Sequence, residues 1–172
     1  AVALRPDFAA GWYLLGMTAY GVGRDREALD ALRRAAALTP DHPQVLRGLA
    51  EAEYAQERFA EALASFERIA SAGGTDDPGV ELRRSQCRRR TGTPETALPL
   101  VRAALARFPD QALLWLELGW VQEDLGAADD ALAAYRQAHA LAPAWGDPLG
   151  SAIALARAAA PEDLVRKAEV MS

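Results

Sequence analysis

The stretch from Trp12 to Pro40, WYLLGMTAYGVGRDREALDALRRAAALTP, contains two segments in which small or apolar residues return every three or four positions. The first segment ends at Gly21-Val22-Gly23, and the second begins at Asp25 and continues to Pro40. A spacing of three or four places side chains on one face of an α-helix, whereas a strand would need strict alternation. The stretch therefore predicts a helix, a turn and a second helix.

The same unit recurs along the chain with a period of about 34 residues. An Ala-Leu pair begins at residues 28, 62, 97 and 131, so that the successive spacings are 34, 35 and 34. We place the extra residue in the glycine-rich loop Gly73–Gly79. The period predicts a single array with repeats at 9–42, 43–76, 78–111 and 112–145, the tail of a truncated upstream repeat at 1–8, and a C-terminal capping helix pair at 146–172.

This pattern resembles that of the tetratricopeptide repeat family, whose repeat is a helix-turn-helix of 34 residues. The family's aromatic, Leu-Gly, Ala, Leu or aromatic, Ala and Pro positions are filled by Trp12, Leu15, Gly16, Ala28, Leu32, Ala35 and Pro40, and again by Trp115, Leu118, Gly119, Ala131, Tyr135, Ala138 and Pro143. The second and third repeats keep fewer of these residues. The resemblance implies an all-α fold, a right-handed α-solenoid in which stacked helix pairs form a superhelix, with Trp12 and Trp115 as packing residues.

Aspartates precede the predicted helices, and their side chains can accept hydrogen bonds from the free amides of a helix start. We call the first helix of each repeat the leading helix and the second the trailing helix. We expect Asp25 to cap the first trailing helix, and Asp41, Asp77, Asp110 and Asp147 to cap leading helices. Pro99 removes a backbone hydrogen bond from the third trailing helix unless that helix starts late.

Composition argues against several classes of function. The 172 residues include 39 alanines and 23 leucines, which favour helices, and no asparagine. A formal net charge of -5 argues against nucleic acid or an anionic membrane as partner, since both need a basic surface. Lys167 is the only lysine, which argues against a phosphate-binding Gly-Lys loop and a Schiff-base enzyme. No apolar run approaches the roughly 18 residues that span a bilayer, and the lone Cys87 leaves the compartment open.

No set of side chains has the spacing of a catalytic or metal site. His42 and His139 are the only histidines; we assign His42 to a helix start and His139 to a structural role in a trailing helix. Neither belongs to a His-Glu-x-x-His pattern, and Cys87 is interpreted as a small packed residue. Gly21-Val22-Gly23 lies at a turn between helices rather than between a strand and a helix. We therefore predict no enzyme activity, no metal and no cofactor.

One dense cluster of charge interrupts this acidic chain: residues 83 to 90 read RRSQCRRR. A solvated charged face is the simplest interpretation of such a run. An alignment that keeps Ala97 in register, however, places Arg84 and Arg88 at positions that are core in the other repeats. The charge run and the repeat pattern are therefore in conflict.

A second alignment removes part of this conflict. Sliding the helix by one residue places Val80 and Cys87 inward, with the extra residue absorbed before Gly92. In either alignment Arg89 falls on the side of the helix that, by the family resemblance, lines a concave groove. Because local rules often fail at functional sites, we hypothesise that these arginines bind an anionic partner segment through bidentate bonds from guanidinium to carboxylate or phosphate.

The resemblance also assigns residues to the concave groove in which family members bind partners. They are Tyr13, Met17, Tyr20, Arg47, Glu51, Tyr54, Arg83, Gln86, Arg89, Arg90, Leu116, Trp120 and Glu123. The aromatic residues among them are suited to anchor a partner, and packing against neighbouring helices is the alternative for each. Family members that clamp a terminal carboxylate or thread substrates past asparagines need Asn, which this chain lacks.

The leading functional hypothesis is a non-enzymatic scaffold that holds a segment of a partner protein or peptide in the concave groove. The alternative is a substrate-recognition or targeting arm of a larger, bacterial enzyme such as a glycosyltransferase, sulfotransferase or oxygenase. It rests on the start of the chain inside a repeat and on 18 arginines against one lysine, which are typical of a GC-rich gene. Self-association through the end repeats is a third interpretation.

Overall fold

Helices account for every regular element of residues 8–73 and 76–143, the residues that the computed structural model describes. They are α1 (Ala9–Gly21), α2 (Asp25–Leu38), α3 (Pro43–Ala55), α4 (Phe59–Ser71), α5 (Pro78–Arg90), α6 (Pro94–Arg107), α7 (Ala112–Asp124) and α8 (Ala128–Leu141). The predicted all-α architecture of tandem helix pairs is thereby confirmed. Asp147, the predicted capping pair and all but the last residue of the predicted upstream tail lie outside the described residues.

The helices belong to two compact units, divided between Thr93 and Pro94. The first unit holds α1 to α5 and the second holds α6 to α8, and within each unit every helix packs against the next one along the chain. The division falls between the leading and the trailing helix of the third predicted repeat.

The repeat period is visible in the backbone. Two residues after each leading helix, one residue adopts a left-handed conformation: Gly23, Glu57, Gly92 and Gly126, with φ of 73°, 58°, 79° and 75°. The amide of the residue that follows donates to a carbonyl of the leading helix at 2.8 to 3.0 Å, which is the Schellman ending of a helix. Glu57 is the one non-glycine residue with a positive φ in the described ranges.

The bounds of α5 decide between the two alignments of the third repeat. α5 (Pro78–Arg90) begins and ends 35 residues after the corresponding ends of α3 (Pro43–Ala55). The extra residue therefore precedes α5, in the loop where the sequence placed it, and the alignment through Ala97 stands. The placement of the extra residue before Gly92 is wrong, whereas Val80 and Cys87 are buried, as the second alignment predicted.

Each trailing helix buries the same three positions. The residues are Ala28, Leu32 and Ala35 on α2, Ala62, Phe66 and Ile69 on α4, Ala97, Val101 and Ala104 on α6, and Ala131, Tyr135 and Ala138 on α8, none of them more than 6% exposed. Glycine on the leading helix lets the large middle residue approach closely: a Cβ at Gly16 would lie 2.6 Å from Cγ of Leu32. At Gly119 a Cβ would collide with the ring of Tyr135.

The predicted caps are confirmed at only one helix. The Asp77 side chain accepts a 2.8 Å hydrogen bond from the Gly79 amide, with Pro78 at the first helical position of α5. The cap residues of α2, α3 and α7 are instead Arg24, His42 and Gln111, and none makes a side-chain capping bond.

The capping roles predicted for Asp25, Asp41 and Asp110 are therefore wrong. Asp41 is one residue too early because Pro43 occupies the first helical position of α3 and its predecessor stays extended. Pro99 lies inside α6, which begins at Pro94, so the late start that would have avoided a lost hydrogen bond does not occur.

We predict that Glu57→Gly stabilises the protein by about 0.5–1 kcal/mol, because glycine adopts the left-handed conformation without the steric cost that a Cβ brings. Urea unfolding of the wild type and the variant measures the difference. Glu57→Ala is the matched control, since alanine removes the carboxylate and keeps the steric cost. Equal stability of the glycine and alanine variants would contradict the explanation.

Candidate interaction surface

Three consecutive leading helices in the first unit carry ten of the predicted groove residues. They are Tyr13, Met17 and Tyr20 on α1, Arg47, Glu51 and Tyr54 on α3, and Arg83, Gln86, Arg89 and Arg90 on α5. We call the surface formed by these ten residues the leading-helix face. On α1 and α3 the three residues are separated by four and then three positions, so that they share one side of their helix.

The α1 part of the face is aromatic and apolar. Tyr13, Met17 and Tyr20 are half-buried and pack against a core cluster that includes Leu29 of α2 and Leu49 of α3. The hydroxyl groups of both tyrosines make no hydrogen bond within the described part of the chain. These side chains therefore serve as packing residues on one side and leave polar groups at the surface on the other.

The Arg83 guanidinium spans α5 and α3. Its Nη2 lies 3.0 Å from Oε2 of Glu51, its Nε donates to Oε1 of the same carboxylate at 3.3 Å, and its Nη1 donates to Oε1 of Gln86 at 3.0 Å. The guanidinium carbon lies 4.1 Å from the ring centroid of Tyr54. Burial alone would lower the pKa of Arg83, but the charge and hydrogen bond of Glu51, together with the contribution of Tyr54, outweigh burial and raise the pKa.

Arg90 completes a stack of two arginines and two aromatic rings. Its guanidinium lies 5.1 Å from the ring centroid of Phe59, and Phe59 meets Tyr54 edge-on at 5.3 Å between centroids. Arg90 is exposed and forms no ion pair within the described ranges. Arg90 is therefore the cation of the leading-helix face that is open to a carboxylate from outside.

Phe59 was not among the residues predicted for the groove. It lies five residues after Tyr54, across the turn that the left-handed Glu57 closes, and this turn returns the chain so that the start of α4 meets the end of α3. The aromatic pair that flanks this turn was the available signal.

Arg47 carries a positive charge that is already compensated. Its Nη2 pairs with Oδ2 of Asp77, whose other oxygen caps α5 through the Gly79 amide. Both side chains of the ion pair are over one-third exposed. Arg47 thus contributes to the start of α5 as well as to the face.

Two arginines of the cluster turn away from the face. Nη2 of Arg84 lies 2.7 Å from Oε2 of Glu67 on α4, and Nη2 of Arg88 lies 2.8 Å from Oε1 of the same carboxylate. Arg84 also pairs with Glu81 at 2.8 Å, and its side chain is only 13% exposed. We call Glu67, Arg84 and Arg88 the Glu67 cluster. It uses two of the five arginines to fix α5 on α4.

The charge of Glu67 depends on this cluster. Burial raises its pKa, but the hydrogen bonds and charges of Arg88 and Arg84 outweigh burial and hold the pKa below its ordinary value of 4.5. Arg89 is partly buried, and it lies 35 residues after Tyr54, at the equivalent position of α5. Its place on the groove side stays a prediction.

In the second unit, the remaining predicted residues lie on α7. Trp120 is 36% exposed, one of the large apolar residues left at the surface. Glu123 accepts a 2.7 Å hydrogen bond from the Tyr135 hydroxyl of α8 and is therefore engaged within its own helix pair.

Trp115 donates through Nε1 to the Pro109 carbonyl at 2.7 Å, and Trp12 of the first unit is covered by the Arg34 guanidinium at 4.5 Å.

Groups with potential for chemistry are dispersed. Cys87 is buried, His42 is exposed, and His139 is partly buried on α8. The described ranges contain no group of three or more His, Cys, Asp or Glu residues arranged to hold a metal ion. A search for a membrane-crossing helix in the same ranges found none of sufficient length and hydropathy.

Paired helices at a constant period, with Schellman endings and a shared face on the leading helices, define a helical-repeat protein. The tetratricopeptide repeat profile matches residues 13–78 and 83–148, and the chain belongs to this family. A search of curated protein sequences found no significant match.

Solved structures with this architecture include a MamA protein, with a TM-score of 0.73 and 17% identity over 80% of this chain and 74% of that one. For MamA from Desulfovibrio magneticus RS-1 the TM-score is 0.71, with 19% identity over 78% of this chain and 76% of that one. For YrrB, described as a TPR protein with an unusual peptide-binding site, the TM-score is 0.70, with 18% identity over 88% of this chain and 77% of that one. Identities this low establish the fold alone.

We predict that Glu67→Gln lowers the free energy of unfolding by about 1–3 kcal/mol at neutral pH, because it leaves the partly buried Arg88 without its carboxylate and leaves Arg84 with Glu81 alone. Because the pKa of Glu67 is lower in the folded protein than its ordinary value, the charged carboxylate stabilises the fold at pH values above the ordinary pKa. This stabilisation is lost as the pH falls through the pKa of the folded protein. Thermal unfolding of the wild type and the variant should therefore converge in acid.

Glu61→Gln is the matched control for this prediction. Glu61 lies on the same helix and pairs with Arg58 at the exposed surface, where ion pairs contribute little. A loss at Glu67 no larger than the loss at Glu61, or one that does not depend on pH, would contradict the role of the Glu67 cluster.

Proposed function

We propose that this chain is a non-enzymatic protein-interaction module and that its leading-helix face binds a segment of a partner protein. The observation that carries the proposal is the gathering of three tyrosines, a methionine and the unpaired Arg90 on the leading helices of one compact unit. Tyrosine contributes large contact area at low entropic cost, and a rigid helical scaffold lowers the cost of ordering the site.

The two ends of the face differ in chemistry, which favours a partner segment with matching ends. Around Tyr13, Met17 and Tyr20 the face is aromatic and apolar. Around Arg90 it is cationic, and the guanidinium stacked on Phe59 keeps its donor groups available at the edge. A segment with apolar side chains toward α1 and acidic side chains toward α5 fits both ends.

The comparisons support the general role. Proteins of the tetratricopeptide repeat family bind peptides or proteins, and the similar structure of YrrB is described as having a peptide-binding site. The anionic character of the partner segment is our own inference from the arginines of α5.

The test is a capture experiment from the native source with the full-length protein, followed by titration of the purified partner. We expect the triple variant Arg83→Ala, Arg89→Ala, Arg90→Ala to bind more than tenfold more weakly, because charge-assisted bonds to the partner are lost. The dependence of binding on salt should decrease in parallel.

The matched control changes three other arginines, Arg24, Arg26 and Arg58, to alanine. It removes the same charge from positions outside the leading-helix face. Equal affinity of the triple variant and the wild type would exclude the arginines from the interface, and equal losses in both triple variants would indicate a non-specific effect of charge.

A further inference from the structure

The contact between Glu51 and Arg83 has the geometry of a ligand contact. Both oxygens of the Glu51 carboxylate face the guanidinium edge formed by Nε and Nη2, at 3.3 and 3.0 Å. Planar guanidinium groups bind carboxylates in this two-point fashion. The Tyr54 ring supports the guanidinium from one side at 4.1 Å, and Gln86 accepts from its remaining nitrogen. The cation is thus held in one orientation by groups other than the carboxylate.

The position of α5 does not depend on this pair. In the Glu67 cluster, Arg84 joins α5 to Glu67 of α4, and the Arg84 side chain is only 13% exposed. Arg47 of α3 pairs with Asp77, which caps α5. The side chains of Arg83 and Glu51 are 31% and 27% exposed. Partly exposed ion pairs contribute little to stability, and one carboxylate can replace another at low cost.

We propose that Arg83, Tyr54 and Gln86 form a subsite for an acidic side chain of the partner and that Glu51 occupies this subsite in the free protein. This inference rests on the proposed function and names the chemistry of the same face. A glutamate or aspartate of the partner binds Arg83 by displacing Glu51, so Glu51 lowers the affinity for acidic segments.

The displacement sets a condition on the partner. A single partner carboxylate that replaces Glu51 adds little to the binding free energy, because the contact between Glu51 and Arg83 is lost at the same time. Arg90 lies two helical turns after Arg83, an axial separation of about 10 Å, and has no ion pair to break within the described ranges. Glu51 therefore selects segments that present two acidic side chains about 10 Å apart, which corresponds to a spacing of three residues in a polyproline II segment, where residues three apart lie on one face.

The experiment uses the full chain and two synthetic fluorescent peptides, blocked at both ends so that side chains supply the only carboxylates. One peptide carries two glutamates three residues apart between leucine and tyrosine residues, and the other carries glutamine in place of both. Fluorescence anisotropy measures binding to the wild type and to Glu51→Gln. We expect the variant to bind the glutamate peptide about three- to tenfold more tightly, a change of about 0.7–1.4 kcal/mol, and the glutamine peptide equally.

Two control variants isolate the exchange. Glu53→Gln makes the same substitution on the same helix at a buried residue that accepts from Ser65, away from the face. We expect it to leave binding unchanged. The double variant Glu51→Gln, Arg83→Ala should lose the gain, because the cation that the partner would bind is absent. Circular dichroism verifies that each variant is folded.

The outcomes separate the two proposals. If the wild type binds the glutamate peptide and Glu51→Gln binds it no more tightly, the subsite inference is wrong while the proposed function stands. The same holds if the gain persists without Arg83. If neither protein binds either peptide, both the subsite and the anionic-partner form of the proposed function are overturned.

Discussion

The ion cluster around Glu67 determines which arginines of α5 face α4 and which belong to the leading-helix face. Residues 84 and 88 are one helical turn apart, so both can reach one carboxylate on α4. The same rotation of the helix turns Arg83 toward α3 and Arg90 toward Phe59. Because partly buried charges are costly without partners, the cluster leaves α5 little freedom to rotate. The chemistry of the leading-helix face depends on this constraint.

The cluster also distinguishes the second helix pair from the others. At the position of Glu67 the other trailing helices carry Arg33, Arg102 and Arg136. Between α2 and α3 the trailing helix supplies the cation, because the charge of Arg33 acts on Glu53. Between α4 and α5 the signs are reversed, because the trailing helix supplies Glu67 and the leading helix supplies Arg88. Opposite signs at two consecutive interfaces disfavour exchange of one leading helix for another, which is a way in which similar repeats keep their order.

The sequence alone predicted the helix pairs, the period and the extra residue before α5, because small and apolar residues recur wherever helices pack. It did not predict which carboxylates and rings the arginines of α5 contact. Arg84 occupies the position of Leu49, and the carboxylates of Glu67 on α4 and Glu81 on α5 make a charge acceptable there. The cap at Asp41 was wrong for a local reason, since a proline two residues later sets the start of α3.

The assignment of the candidate surface to a groove stays a prediction, and the sequence determines only which residues share a side of a helix. Tyr13, Met17 and Tyr20 share one side of α1, because periodicity fixes the direction of a helical side chain, and they pack against the core cluster of α2 and α3. The pairing of Arg83 with Glu51 and the stacking of Arg90 on Phe59 involve residues on separate helices. Such contacts depend on side-chain length and on the turn at Glu57, which periodicity does not encode.

The most direct test of this account is a carbon-13 NMR titration of the Glu67 side-chain carboxyl in the intact chain. If Arg84 and Arg88 converge on it as described, its pKa lies below the ordinary value of 4.5 and rises when Arg88 is replaced by glutamine. A pKa at or above 4.5 in the wild type, unmoved by that replacement, would show that the two arginines do not hold Glu67. The assignment of inward and outward arginines on α5 would then be wrong.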